Sequence, residues 1–203
     1  MDTSRRSSRP PGRPRDAAGH QAALRVASDL LAREGFAAVT MEAVAKRAGV
    51  SRPMLYRRWP NRAALAMDAF LTTVAPHLPF PDTGSVREDI RGQLRSVVEV
   101  FTSSTGRTLA ELIAVGQMDV ELAEALRSRY IAPRRAEMRV ILERGIARGE
   151  LRPIPDFEVV IDAMYGPISH RLLIGHQKLD RHFADALTDL VIDGLSKPDE
   201  PGG

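Results

Sequence analysis

The residues best suited to chemistry cluster between positions 40 and 62. Ser51, Arg52, Met54, Tyr56 and Arg57 fall on what reads as the outward face of a short helix, with Thr40 ahead of them and Arg62 behind. An arginine fork takes a guanine edge or two phosphate oxygens, and a hydroxyl takes a phosphate or a base edge, so this set suits the grip of duplex DNA. It is poorly suited to making or breaking bonds. The chain has no cysteine, which removes thiolate nucleophiles, thiolate zinc sites and disulfides. Its five histidines, His20, His77, His170, His176 and His182, are scattered. His170 and His176 stand six residues apart, so they do not share a helical face as metal ligands at i and i+4 do. No glycine-rich loop follows a strand, and no serine, histidine and aspartate form a nucleophilic set. No metal, cofactor or enzymatic activity is expected.

To present such side chains the chain needs a helix-turn-helix, and the segment TMEAVAKRAGVSRPMLYRRWPNRAAL from Thr40 to Leu65 has the parts of one. Thr40 is an N-cap for a helix through Ala48, Gly49 permits the turn, and Ser51 caps a second short helix. Pro53 is harmless in a first turn, where its missing N–H has no partner to lose. Pro60 disfavours helical geometry before it, which ends the second helix near Trp59, and Asn61 caps a further helix from Arg62 to about His77. Ala45 is small where the helices approach, while Val44, Val50 and Leu55 suit a shared core. An earlier helix begins near Asp16, with Ala23, Val26, Ala27, Leu30 and Leu31 at helical spacing, and leaves through Gly35.

The remainder also reads as helix. LPFPDTG is a connection, Ser85 and Glu88 have the spacing of a capping box for a helix to about Ser104, and further helices span 105–116 and 120–148, the second bent at Pro133. After GELRPIPD, Asp156 caps a helix to about Gly175, within which Pro167 frees a carbonyl. Asp180 caps a last one whose face carries Phe183, Leu187, Leu190, Val191 and Leu195. The expected fold is all-α with about nine helices: a three-helix domain over 16–65 containing the helix-turn-helix, and a helical domain over 66–203.

Charge divides the chain in the same place. Residues 1–65 hold 13 lysines and arginines against 5 acids, net +8, and the rest is net −5, which returns the overall +3. A basic head on an acidic body suits a head that meets a polyanion. Residues 1–15, MDTSRRSSRPPGRPR, have almost nothing to bury and are expected to form a flexible basic arm. Its Gly12-Arg13-Pro14 core resembles an AT-hook, whose thin extended backbone enters a narrow A·T minor groove and places arginines, here Arg13 and Arg15, in its negative potential. An ordinary basic leader that adds only nonspecific attraction is the alternative.

The run FAAVTMEAVAKRAGVSRPMLYRRWPNRAAL resembles the TetR family of transcriptional regulators, with Thr40, the Gly49-Val50-Ser51 turn and the Leu55-Tyr56 pair in the family's places. Many members have His-Phe followed shortly by Lys where this chain has Arg58, Trp59 and Arg62; an aromatic core residue and a cation survive, with a changed backbone contact. The resemblance implies Thr40 and Tyr56 as the firmest phosphate contacts. It also implies a homodimer on a palindromic operator, paired through helices 156–175 and 180–195, and repression relieved by a small-molecule effector bound among the middle helices. Met67, Phe70, Phe101, Met118, Tyr165 and His170 are the candidate lining residues, mostly apolar with two polar tips. With no apolar run of about 18 residues and no secretion signal, a cytoplasmic protein without membrane partners is expected. A ligand-independent architectural DNA-binding protein and a helical small-molecule carrier remain as alternatives.

Overall fold

The computed structural model describes residues 13–196 of the chain. Most of the basic arm, residues 1–12 with Gly12, lies outside the described residues. Helix α1, Arg13–Glu34, begins before Asp16 and takes Arg13 and Arg15 into its first turn, where Pro14 is tolerated. The extended backbone that a minor-groove hook requires is therefore not the one found at Arg13–Arg15. Toward its C-terminal end α1 buries Ala23, Ala27, Leu30 and Leu31, and a 3-10 turn, Phe36–Ala38, sinks Phe36 into the same core.

Helix α2, Met41–Ala48, is capped by Thr40, whose Oγ1 accepts the Ala43 N–H at 3.0 Å. Gly49 follows at φ 66°, in the left-handed region where a Cβ would clash, and this turns the chain toward α3. Helix α3, Arg52–Tyr56, is capped by Ser51 through the Met54 N–H. It ends three residues earlier than the proline rule predicts, because the chain leaves the helix to bury Trp59. Helix α4, Arg62–Val74, starts at its Asn61 cap and continues into the 3-10 turn Ala75–His77. It buries residues against both the head and the body, and the boundary drawn at residue 65 falls in its first turn.

The body comprises α5 (Val86–Phe101), α6 (Ser104–Gly116), α7 (Val120–Ala125), a π turn (Leu126–Ile131), α8 (Ala132–Ala147), α9 (Phe157–Ile174) and α10 (Arg181–Leu195). Asp119, Asp156 and Asp180 cap α7, α9 and α10 with their carboxylates. Helix α7, the π turn and α8 are one continuous path, so the described residues follow the nine-helix plan through ten α-helical segments. The bend expected at Pro133 takes the form of that π turn: Pro133, in the first turn of α8, has no N–H for the carbonyl one turn back and its ring crowds it. Ser85 caps α5, but the Glu88 carboxylate pairs with Arg91 instead of closing the capping box. Among the described residues the only pairing of strand type is an isolated bridge between Leu151 and Ser196.

Helix α10 is fastened to α5 by an antiparallel ladder of ion pairs. Arg87, Arg91 and Arg95, four residues apart, meet Asp193, Asp189 and Asp185, with Arg87 bonding both Asp193 and Asp189 and Arg95 forking onto Asp185 at 2.6 and 2.8 Å. A fourth rung, Glu99 with Arg181, reverses the signs. Arg95 and Arg87 respectively hold the Asp185 and Asp189 carboxyls below the usual carboxylate range. Carboxyls depressed in the folded state stabilise it above their unfolded value, about 3.9, and that stabilisation is lost as pH falls through the folded value. The melting temperature is expected to be flat from pH 7 to about 5 and to fall below about pH 4. Asp185→Asn with Asp189→Asn should flatten that fall in thermal melts across pH, and 1 M salt should shrink it, since these pairs are partly exposed.

Candidate nucleic-acid interface

Four of the expected DNA-contacting residues converge. Thr40, Arg52, Tyr56 and Arg62 line one open concavity of about 440 Å³ where the start of α2, α3 and the start of α4 meet. Thr40 and Ser51 use an oxygen lone pair to cap their helices and are themselves exposed, so each O–H is still available as a donor. Arg52, Tyr56 and Arg57 are exposed, and Tyr56, at 47%, is a large aromatic in water with no core to join. This is the outward face that the sequence predicts, with one correction. Met54 is buried at 8%, its methyl group set in the notch left by Gly19 of α1, where an added Cβ would stand 2.7 Å from it. It packs the head and does not face a partner.

Arg62 also has a role that its type does not disclose. Its guanidinium lies 4.5 Å above the Phe36 ring and 3.4 Å from the Asp119 carboxylate at the cap of α7, so it ties the head to the body. A second tie runs through Trp59. The buried indole stacks on His20 with centroids 4.9 Å apart, and its Nε1–H donates to Asp68 Oδ2 of α4 at 2.8 Å. The other oxygen of Asp68 accepts from Arg129 of the π turn at 2.7 Å. A chain of charge-assisted hydrogen bonds thus joins the connection between α3 and α4 to the one irregular turn of the body's continuous helix.

That turn walls a chamber of about 230 Å³ between α5, α8 and α9, lined among others by Val97, Tyr130, Ile131, Arg134, Tyr165 and Gly166. Of the six candidate lining residues, the structure brings only Tyr165 here. Met67, Phe70 and Phe101 are plain core positions, Phe70 meeting Tyr130 edge-on at 5.7 Å. Met118 is 90% exposed in the connection before α7, and His170 is exposed with its ring beside His176 at 4.8 Å. Neither lines the chamber. Among the described residues no three acidic, histidine or cysteine side chains could hold a metal ion. Burial pushes the Tyr130 phenol up to about 12 and the Tyr165 phenol up as well, against the pull of the Arg134 charge, so both stay protonated hydrogen-bonding groups.

Helices α9 and α10 carry exposed stripes of small and apolar residues: Val159, Ala163, Gly166 and Leu173 on one, Ala186, Leu190 and Gly194 on the other. Leu190 is 74% exposed and Val159 63%, whereas the buried sides of the same helices hold Ile161, Met164, Ile168, Leu187 and Ile192. An apolar face on each side of a helix suits packing against two layers. No described helix is long and apolar enough to cross a membrane.

Comparison with known proteins agrees with this architecture. Residues 23–69 match the family described as bacterial regulatory proteins, tetR family, and residues 80–191 match the tetracyclin repressor-like C-terminal domain. The HTH-type transcriptional regulator YdeS of Bacillus subtilis is 47% identical over 184 residues, 91% of each chain. A DNA-binding transcriptional repressor TetR of Mycobacteroides abscessus is 31% identical, covering 87% of this chain and 93% of the relative. A crystallised TetR family transcription regulator superposes with a TM-score of 0.77 at 40% identity, over 88% of this chain and 99% of that one. The chain therefore belongs to the TetR family, dimeric helix-turn-helix transcriptional regulators that bind DNA and are not enzymes.

Proposed function

We propose that this protein is a repressor that binds a palindromic operator as a homodimer, paired through α9 and α10, and leaves it when a small molecule fills the chamber behind the π turn. The observation that carries the reading is the convergence of Thr40, Arg52 and Tyr56 on one exposed face built by α2 and α3. A helix set this way enters the major groove with its first residues toward base edges, while hydroxyls at the rim hold phosphates. Ser51 and Arg57 extend that face, and Arg62 supports it from the body side.

The exposed stripes of α9 and α10 supply the pairing surface, since four such helices from two copies form a bundle. Release by an effector would run through the Arg129–Asp68–Trp59 chain: a ligand that displaces the π turn pulls on Asp68 of α4, whose other oxygen holds Trp59 just after α3. On a duplex selected by the wild type, Tyr56→Phe is expected to weaken binding by about 1.5–3 kcal/mol, roughly 10- to 150-fold, evenly across sequence variants. Arg52→Ala is expected to relax specificity at one base position. Fluorescence anisotropy reads both; wild-type affinity and wild-type sequence preference in the two variants would remove α3 from the interface.

A further inference from the structure

We propose that the chamber behind the π turn takes a compact organic carboxylate, its anionic end on the Arg134 guanidinium and its apolar body against Val97 and Ile131. The proposal rests on the effector reading above and adds the ligand's chemical class. Its first ground is an imbalance of charge. On α8, Arg135, Arg139 and Arg144 each have a carboxylate within 4.0 Å, and Asp162 on the chamber rim is already paired with Arg135 at 2.5 Å. Arg134 has no carboxylate within that distance among the described residues. Its guanidinium meets only neutral groups, the Leu78 carbonyl at 3.2 Å and the Phe80 ring at 4.3 Å.

A half-buried guanidinium held by a carbonyl and a ring is anchored but not neutralised, and its remaining N–H donors suit a planar anion. The second ground is a supply of neutral polar groups beside Arg134, the one lining carboxylate, Asp162, being taken up by Arg135. The two phenols, kept protonated by burial, add neutral hydrogen-bonding groups next to that charge. Behind Tyr165 its hydroxyl donates to Gln93 Oε1 at 3.1 Å, while the buried Gln93 Nε2 has no partner. The third ground is size: about 230 Å³ lies below the roughly 300–1,000 Å³ of sites for drug-sized ligands, and Val97, Ile131 and Gly166 give it apolar walls.

The test titrates the full-length protein calorimetrically with benzoate, 3-phenylpropionate, hexanoate and octanoate, each beside its primary amide and the amine of equal length. At least one acid is expected to bind about tenfold or more tightly than its amide, with the amines not binding. Arg134→Gln is expected to reduce that acid to the level of its amide, and Arg134→Lys to keep part of the preference. The absence of binding by every acid would overturn the proposal, as would amides or amines binding as tightly, or the preference persisting in Arg134→Gln. The wild-type preference needs no variant, so the test stands even if a substitution disturbs folding. Because it is read on protein without DNA, its failure is distinct from a failure of operator binding, which shows in the DNA titrations.

Discussion

Trp59→Ala is expected to lower the melting temperature by roughly 6–20 °C, through a loss of about 3–5 kcal/mol. Trp59 is 1% exposed and is the sole tryptophan, held between His20 of α1 and Asp68 of α4. Truncation removes the largest side chain of that core and opens a cavity that short helices cannot collapse to fill. It also withdraws the indole N–H from Asp68, although Arg129 still holds the other oxygen and spares the carboxylate complete isolation. Trp59→Phe, which keeps most of the ring, should cost clearly less. Thermal and urea melts of the two variants beside the wild type check the ordering, and an Ala variant as stable as the Phe variant would show that the head is not built on this residue.

Leu190→Glu should have the larger effect on DNA. The side chain is 74% exposed in the single chain, so the substitution is not expected to unfold it, and circular dichroism melts should change little beyond the loss of pairing. In the dimer proposed above the same position lies in the bundle of α9 and α10, where an unpaired carboxylate carries a desolvation penalty. Monomers should appear in light scattering at concentrations where the wild type is dimeric. With one head per particle the second half-site is no longer bound at high effective concentration, and operator affinity should fall by about 10²–10⁴-fold. Leu190→Ala, apolar and small, should leave most of the dimer intact. A dimeric Leu190→Glu protein would move the pairing surface away from α10.

The parts legible in the sequence were those decided locally. Thr40, Ser51, Asn61, Asp156 and Asp180 all cap the helices that their types indicate, because a cap needs only its own side chain and the next turn. The face of Arg52 and Tyr56 was legible for the same reason. Met54 was not, because five residues are too few to display a helical period and the notch that receives it belongs to Gly19, 35 positions earlier. Apart from Tyr165, the chamber residues were hidden for a stronger reason: Val97 and Tyr130 lie on elements remote from it and from each other in sequence, and only tertiary packing brings the three together. Pro133 was the available signal. It announced a disturbance in the helix, and the disturbance is the wall of the chamber, but the contacts of Arg129 with Asp68 and of Tyr130 with Phe70 of α4 are not written in its local sequence. Met118 and His170 had suitable types and unsuitable places, which no periodicity reveals for a residue in a connection or on an outer face.

Selection of binding sites from random duplex DNA, with the purified protein at physiological salt, tests the central claim most directly. The account predicts an enriched palindrome whose half-sites are centred about one helical turn apart, roughly 34–36 Å, or a multiple of that, and its loss with Tyr56→Ala. A folded protein that enriches no sequence, or an enriched site without two-fold symmetry, would contradict it.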